Sequence, residues 1–132
     1  MKKSLVSIAL LLIAASFLAG CPAAFVAGGV AAGAGGVAYA MGELKILIDR
    51  DVHAIYEASR AALAKLEIKV VEGEKDALSA LIIGRGAGDK KITLKIKRAE
   101  GHLSELSIRV GTFGDEAMSQ AIYDEIRKHL DK

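Results

Sequence analysis

The sequence predicts a two-layer α+β sandwich, an antiparallel sheet of four to five strands with two helices on one face, in the order β-α-β-β-β-(β)-α. Three observations carry this expectation. Short segments alternate apolar and polar residues with period two, as a sheet with one covered face does. Two longer segments repeat apolar residues at helical spacing, each behind an aspartate. The breaks between the later strands are short and rich in glycine or charge, which suits hairpins.

Leu44, Ile46 and Ile48 alternate with Glu43, Lys45 and Asp49, broken only by Leu47, and open the domain as a strand. Asp51 then stands where a carboxylate can accept from the first-turn N–H groups of a helix running to about Leu66. Ile55, Ser59, Ala62 and Leu66 form its buried stripe, flanked by Val52 and Leu63, and the small Ser59 and Ala62 allow close approach to a sheet. Ile68 and Val70 begin the next strand, and Glu72-Gly73-Glu74-Lys75-Asp76 reads as a turn or bulge. The run from Leu78 to Arg85 is apolar on both faces, Ala80 and Ile82 against Leu81 and Ile83, as in a central strand.

Gly86-Ala87-Gly88-Asp89 reads as a hairpin connection. Beyond it Ile92, Leu94 and Ile96 alternate with Lys91, Thr93, Lys95 and Lys97, and Leu106, Ile108 and Val110 alternate with Glu105, Ser107 and Arg109. Pairing like faces across a connection near Ala99 to His102 places Lys95 opposite Glu105 and Thr93 opposite Ser107. Gly111-Thr112-Phe113-Gly114 leads into Asp115, a second cap, and a helix to about Leu130 with Met118, Ile122 and Ile126 along one side.

This globular domain is assigned to residues 43–132, and the chain ahead of it has another character. Residues 1–20 have the layout of a removable export signal: Met1-Lys2-Lys3 is cationic, and Leu5 to Leu18 is a fourteen-residue run without charge. A permanent helical span needs about 20 apolar residues, so the run alone is too short. It ends in Leu18-Ala19-Gly20-Cys21, which resembles the lipobox of bacterial lipoproteins. That resemblance implies cleavage between Gly20 and Cys21 and a diacylglycerol on the Cys21 thiol. Two or three acyl chains hold a protein at the membrane surface, whereas one attaches it only marginally. Pro22, where an inner-membrane lipoprotein has Asp, implies the outer membrane and a periplasm-facing domain.

Residues 21–42 form an Ala/Gly-rich membrane-proximal segment, uncharged throughout. One reading makes it a spacer, partly helical near Val30 to Met41, because each interior glycine costs a helix about 1 kcal/mol. The other makes it a membrane-inserting, oligomer-forming helix. Gly28, Ala32, Gly36 and Ala40 recur at every fourth position, the small-residue spacing that lets membrane helices approach, and twenty residues at about 1.5 Å each reach about 30 Å.

The whole chain holds 18 Lys and Arg against 16 Asp and Glu, and losing Lys2 and Lys3 with the signal brings the two into balance. Nucleic-acid binding by counterion release calls for a basic excess, so that class of partner is not expected. The single cysteine closes no internal disulfide. His53, His102 and His129 fall in different elements with no ligand spacing between them, so no metal site is expected. Ser59, Ser79 and Ser107 lack a nucleophile-elbow turn, and no lysine stands three residues after a serine. Gly84-Arg85-Gly86-Ala87-Gly88 lacks the ending of a phosphate loop. Asp115 and Glu116 are accounted for by a helix N-terminus. The domain is therefore read as non-enzymatic and without cofactor, with an envelope hydrolase a distant alternative. Lys91, Lys95, Lys97 and Arg109 form a cationic stripe on the outer sheet face, relieved by acids such as Glu105. That stripe is the candidate binding face for anionic lipid, cell-wall polymer or an envelope protein.

Three stretches carry a wider likeness: Gly42-Glu43-Leu44-Lys45, Lys75-Asp76-Ala77-Leu78-Ser79, and Ile108-Arg109-Val110-Gly111-Thr112-Phe113-Gly114-Asp115-Glu116. Together they resemble a family of small bacterial lipoproteins known as domain-of-unknown-function family 3568, over nearly the whole mature chain. Such proteins often carry glycine after the serine that Ser79 matches, where this chain has Ala80. The resemblance implies a lipid-anchored, periplasm-facing domain and brings no activity or ligand with it.

Overall fold

A computed structural model of the chain describes residues 36–132. The expected signal (1–20), the Gly20–Cys21 cleavage site, the lipid-bearing Cys21 and positions 22–35 lie outside the described residues. Six strands form one antiparallel sheet: β1 Val37–Ala40, β2 Glu43–Ile48, β3 Lys69–Lys75, β4 Ser79–Arg85, β5 Lys91–Arg98 and β6 Ser104–Val110. Their spatial order is β1-β2-β6-β5-β4-β3. Helices α1 Val52–Lys65 and α2 Glu116–Leu130 complete the two-layer α+β fold.

The strand count is six rather than four to five, and the added strand is β1. Its residues belong to the Ala/Gly-rich segment by composition, yet Val37-Ala38-Tyr39-Ala40 has period two. Val37 and Tyr39 pair with Ile46 and Leu44 and pack half-buried on the core, while Ala38 and Ala40 face solvent. The sheet therefore starts at Val37, ahead of the expected domain boundary at 43. The helix expected to reach Met41 is absent over 37–40, and Ala40, last member of the small-residue repeat, belongs to a strand. Met41 (φ 53°) and Gly42 (φ 80°) make the tight turn into β2. Positive φ at both positions matches the twist of the flanking strands.

Both helix caps form as expected: the Asp51 carboxylate accepts from the Ala54 N–H at 2.7 Å and that of Asp115 from the Met118 N–H at 2.9 Å. α1 carries the chain across from β2 to β3, which run in the same direction on opposite sides of the sheet without pairing, so a long crossover is required. From β3 to β6 the chain returns by hairpins, and β6 and β5 end in the middle. β4 lies one place in from the edge rather than centrally, and its second apolar face, Leu81 and Ile83, is only half-buried. Ile55, Ala62 and Leu63 of α1 and Ile122 and Ile126 of α2 close over Leu44, Ile46, Ile82, Leu94, Ile96, Leu106 and Ile108. Burying each large aliphatic side chain is worth about 1.5–3 kcal/mol. Leu66 and Met118, assigned to buried stripes, are only half-buried.

β3 runs through the segment read as a turn or bulge, and the bulge is what it has, between Val70 and Glu72, just ahead of that segment. Gly73 serves space rather than turning: a Cβ there would lie 2.7 Å from the Tyr56 hydroxyl. The reversal comes later, where one Asp76 oxygen accepts from the N–H groups of Leu78 (2.7 Å) and Ser79 (2.8 Å) and the other from the Ser79 hydroxyl (2.9 Å). These contacts, the Leu78 N–H foremost, hold the Asp76 carboxyl below its usual 3.8.

The expected β5–β6 register is also corrected. Lys95 lies opposite Ser107, Thr93 opposite Arg109, and Lys97 opposite Glu105. The connection closes two residues later than expected, Ala99 donating to the Leu103 carbonyl at 2.9 Å and Leu103 to that of Glu100 at 3.1 Å, with Gly101 at φ 62°. A slip of two residues keeps every side chain on its own face, so the apolar pattern is silent about it.

Candidate functional site: the uncovered sheet face

Neither α1 nor α2 covers the face opposite the core, and the odd-numbered positions of β2, β5 and β6 share that face, with the lysines exposed and the small Ser107 buried among its neighbours. Register sets their neighbours. One row runs Glu72, Ile83, Thr93, Arg109, Glu43, Ala40; the next runs Glu74, Leu81, Lys95, Ser107, Lys45, Ala38; a third runs Ser79, Lys97, Glu105, Leu47. Lys91 pairs with Arg85 at one end. All four residues of the expected stripe, Lys91, Lys95, Lys97 and Arg109, therefore share this face.

The acid that pairs with two of them, Lys95 and Arg109, is Glu43, to which the local pattern gives a place on the first strand and no role. Its Oε1 lies 3.8 Å from the Lys95 ammonium and 3.7 Å from the Arg109 guanidinium, with the side chain 20% exposed. Arg109 also donates to the Thr112 carbonyl at 3.1 Å. Glu105 stands across from Lys97 and Leu47 rather than Lys95. Lys45, Lys91 and Lys97 make no ion pair among the described residues. The signal that could have found Glu43 is its place in the motif Gly42-Glu43-Leu44-Lys45, combined with the β2–β6 pairing that no local pattern reveals.

Beside the cations an open groove of about 480 Å³ crosses β3, β4 and β5, lined by Glu74, Asp76, Ser79, Leu81, Lys95 and Lys97 among others. Its volume falls within the range of small-ligand sites. Its lining residues are mostly charged or polar. The Ser79 hydroxyl is directed at Asp76, and a carboxylate stabilised by three hydrogen bonds is a weak base, so the pair does not make an activated nucleophile.

The remaining singled-out residues are scattered. His53 is on α1 beside the Lys75 ammonium, His102 is in the β5–β6 connection, and His129, half-buried on α2, lies 3.5 Å from Glu125. Gly84 is buried within β4, and 86–89 join β4 to β5 through a single 3-10 turn at Ala87–Asp89. Asp115 caps α2 and pairs with Lys90 at 3.4 Å, and Glu116 is exposed.

Two of the three motif stretches meet in space. A Cβ on Gly42 would lie 2.6 Å from the Phe113 carbonyl oxygen, and one on Gly114 would lie 2.6 Å from the Tyr39 hydroxyl. The third stretch makes the Asp76 turn. Every motif thus serves the architecture, through a close backbone approach, a turn, or the Glu43–Arg109 pair.

No curated protein matches the chain. The family model described as "Protein of unknown function (DUF3568)" matches residues 4–129. With nearly its whole length matched, and the motifs placed as above, the chain belongs to that family of unknown function.

Proposed function

We propose that this protein is a lipid-anchored component of the bacterial cell envelope, held by acyl chains on Cys21, whose domain binds an anionic envelope polymer and catalyses nothing. The place follows from Leu18-Ala19-Gly20-Cys21 behind an uncharged apolar run. Sorting by Pro22 favours the outer membrane, with the domain in the periplasm. The role rests on one observation: among the described residues, Lys45, Lys91 and Lys97 stand without ion pairs on a sheet face that neither α1 nor α2 covers, next to an open groove. Exposed cations on a rigid sheet attract anionic polymers over about a Debye length and hold them without a shaped pocket.

The test is photo-crosslinking in cells from positions 91, 95 and 97, alongside metabolic palmitate labelling of the wild type and Cys21→Ser. Capture of an acidic polymer from those positions, reduced by Lys97→Glu, supports the reading. No capture above that from a position on the outer side of α1, or equal palmitate label with serine at 21, overturns it.

A further inference from the structure

We infer that the end of the sheet carrying Met41 and Phe113 dips into the lipid bilayer and orients the domain on the membrane. The inference rests on the membrane-anchored reading above. Met41 is 94% exposed and Phe113 92% exposed, the two most exposed large apolar side chains among the described residues. They are far apart in sequence, but the close approach of Gly42 to the Phe113 carbonyl sets the two tips side by side.

Met41 has φ 53°, a conformation that is costly for a side chain with a Cβ. Turns of this type are normally filled by Asn, Asp or Gly, which are polar or free of strain there. Methionine at this position gains neither burial nor relief within the domain, whereas its flexible thioether side chain adapts readily to an apolar medium. Phe113 is likewise held outward by a loop whose flanking glycines, Gly111 and Gly114, have φ of 71° and 87°.

A bilayer suits this feature better than a protein partner. The two side chains project almost fully exposed from loop tips, and a fluid apolar layer needs no complementary pocket. Around them Lys90 and Arg109 are paired with Asp115 and Glu43, and Lys91, whose carbonyl accepts from the Gly111 N–H at 2.7 Å, is left to meet anionic headgroups at the membrane surface. Reach is sufficient: the fifteen residue steps from Cys21 to Gly36 span up to about 50 Å when extended, more than the about 13 Å of β1 that separates Gly36 from the Met41 end. An anchor already in the membrane raises the local lipid concentration, so two inserted side chains suffice. Leu78, 65% exposed, lies at the opposite end of the sheet, the end where Gly36 meets Leu47.

The chain has no tryptophan, so a single introduced one reports one site. Full-length mature protein with Phe113→Trp or with Leu78→Trp is reconstituted in vesicles of phosphatidylethanolamine and phosphatidylglycerol containing bromine-labelled acyl chains. Fluorescence of the Phe113→Trp chain is expected to fall at least twofold and that of the Leu78→Trp chain to stay unchanged. Adding Met41→Asn, which suits the left-handed turn and so spares the fold, should weaken the quenching. Equal quenching at both sites, or stronger quenching of Leu78→Trp, overturns the inference. Intact mass of the same preparation reports acylation of Cys21, so failure of the anchor and failure of the docking are separate results.

Discussion

Gly114 stands so close to Gly42 that a Cβ on it would lie 2.4 Å from the Gly42 Cα. Contact at that range locks the β1–β2 turn against the loop that launches α2. Through it the edge of the sheet and the start of the last helix become one unit.

Gly114→Ala is therefore expected to cost more than about 2 kcal/mol, combining a backbone clash with a left-handed φ. Gly88→Ala, with φ 68° and open space around it, should cost only about 1 kcal/mol, and Gly36→Ala, open and unstrained, less than about 0.5 kcal/mol. Urea unfolding of the three variants gives the order, and a Gly114→Ala chain no weaker than Gly88→Ala would show that the contact is slack.

Acid should weaken the fold through three carboxylates. Asp76, held chiefly by the Leu78 N–H, Asp115, by the Met118 N–H, and Glu125, by the Lys128 ammonium, all titrate below their ordinary values of 3.8, 3.8 and 4.5. The unfolded chain then binds more protons than the folded one in that range, so stability rises with pH. Their contribution is complete above the unfolded values and is lost as pH falls through the lowered folded ones. The urea midpoint should be insensitive to these groups above about pH 5.5 and decline below about pH 4.5. Asp76→Asn should lower the neutral midpoint and shrink that decline; an unchanged decline would exclude Asp76 as a contributor.

Two buried serines should respond in opposite directions. The Ser59 hydroxyl, wholly buried on α1, has no hydrogen-bond partner among the described residues, whereas that of Ser104 donates to the Arg50 carbonyl at 2.8 Å. Ser59→Ala is expected to stabilise by about 1 kcal/mol and Ser104→Ala to destabilise by about 1 kcal/mol. Thermal unfolding with both shifts of the same sign would contradict this.

Glu43→Gln should tighten binding of an anionic polymer while changing stability by less than about 1 kcal/mol, since exposed ion pairs contribute little. Removing the shared acid frees Lys95 and Arg109 to meet the ligand. Retention on an anionic resin as salt is raised measures the effect, with elution later than wild type expected. Earlier elution would mean that the uncovered face is not the one engaged.

Much of this architecture was legible in the linear pattern because one covered sheet face imposes period two and one covered helix face imposes period 3.6. Leu44 and Ile46, Ile92 to Ile96, and Leu106 to Val110 reported their burial directly, and Asp51 and Asp115 marked both helix starts. β1 escaped because alanine and glycine dominate its surroundings, and Gly73 misled because a glycine that makes room for Tyr56 looks in sequence like one that turns the chain. The stripe of Lys91, Lys95, Lys97 and Arg109 was visible; its counter-charge was not. Glu43 reaches Lys95 and Arg109 only because β6 inserts between β2 and β5.

Local chemistry, then, determined by itself the class of fold, the helix boundaries, which face of β2, β5 and β6 is buried, and the Cys21 motif on which the membrane reading rests. Tertiary structure alone decided the neighbours: the register of β5 on β6, the meeting of Gly42 with Gly114, and the exposure of Met41 beside Phe113. The reason is physical. Which face a side chain takes depends on residues one or two positions away, whereas which strand lies alongside depends on turns and crossovers whose free energies no short pattern encodes.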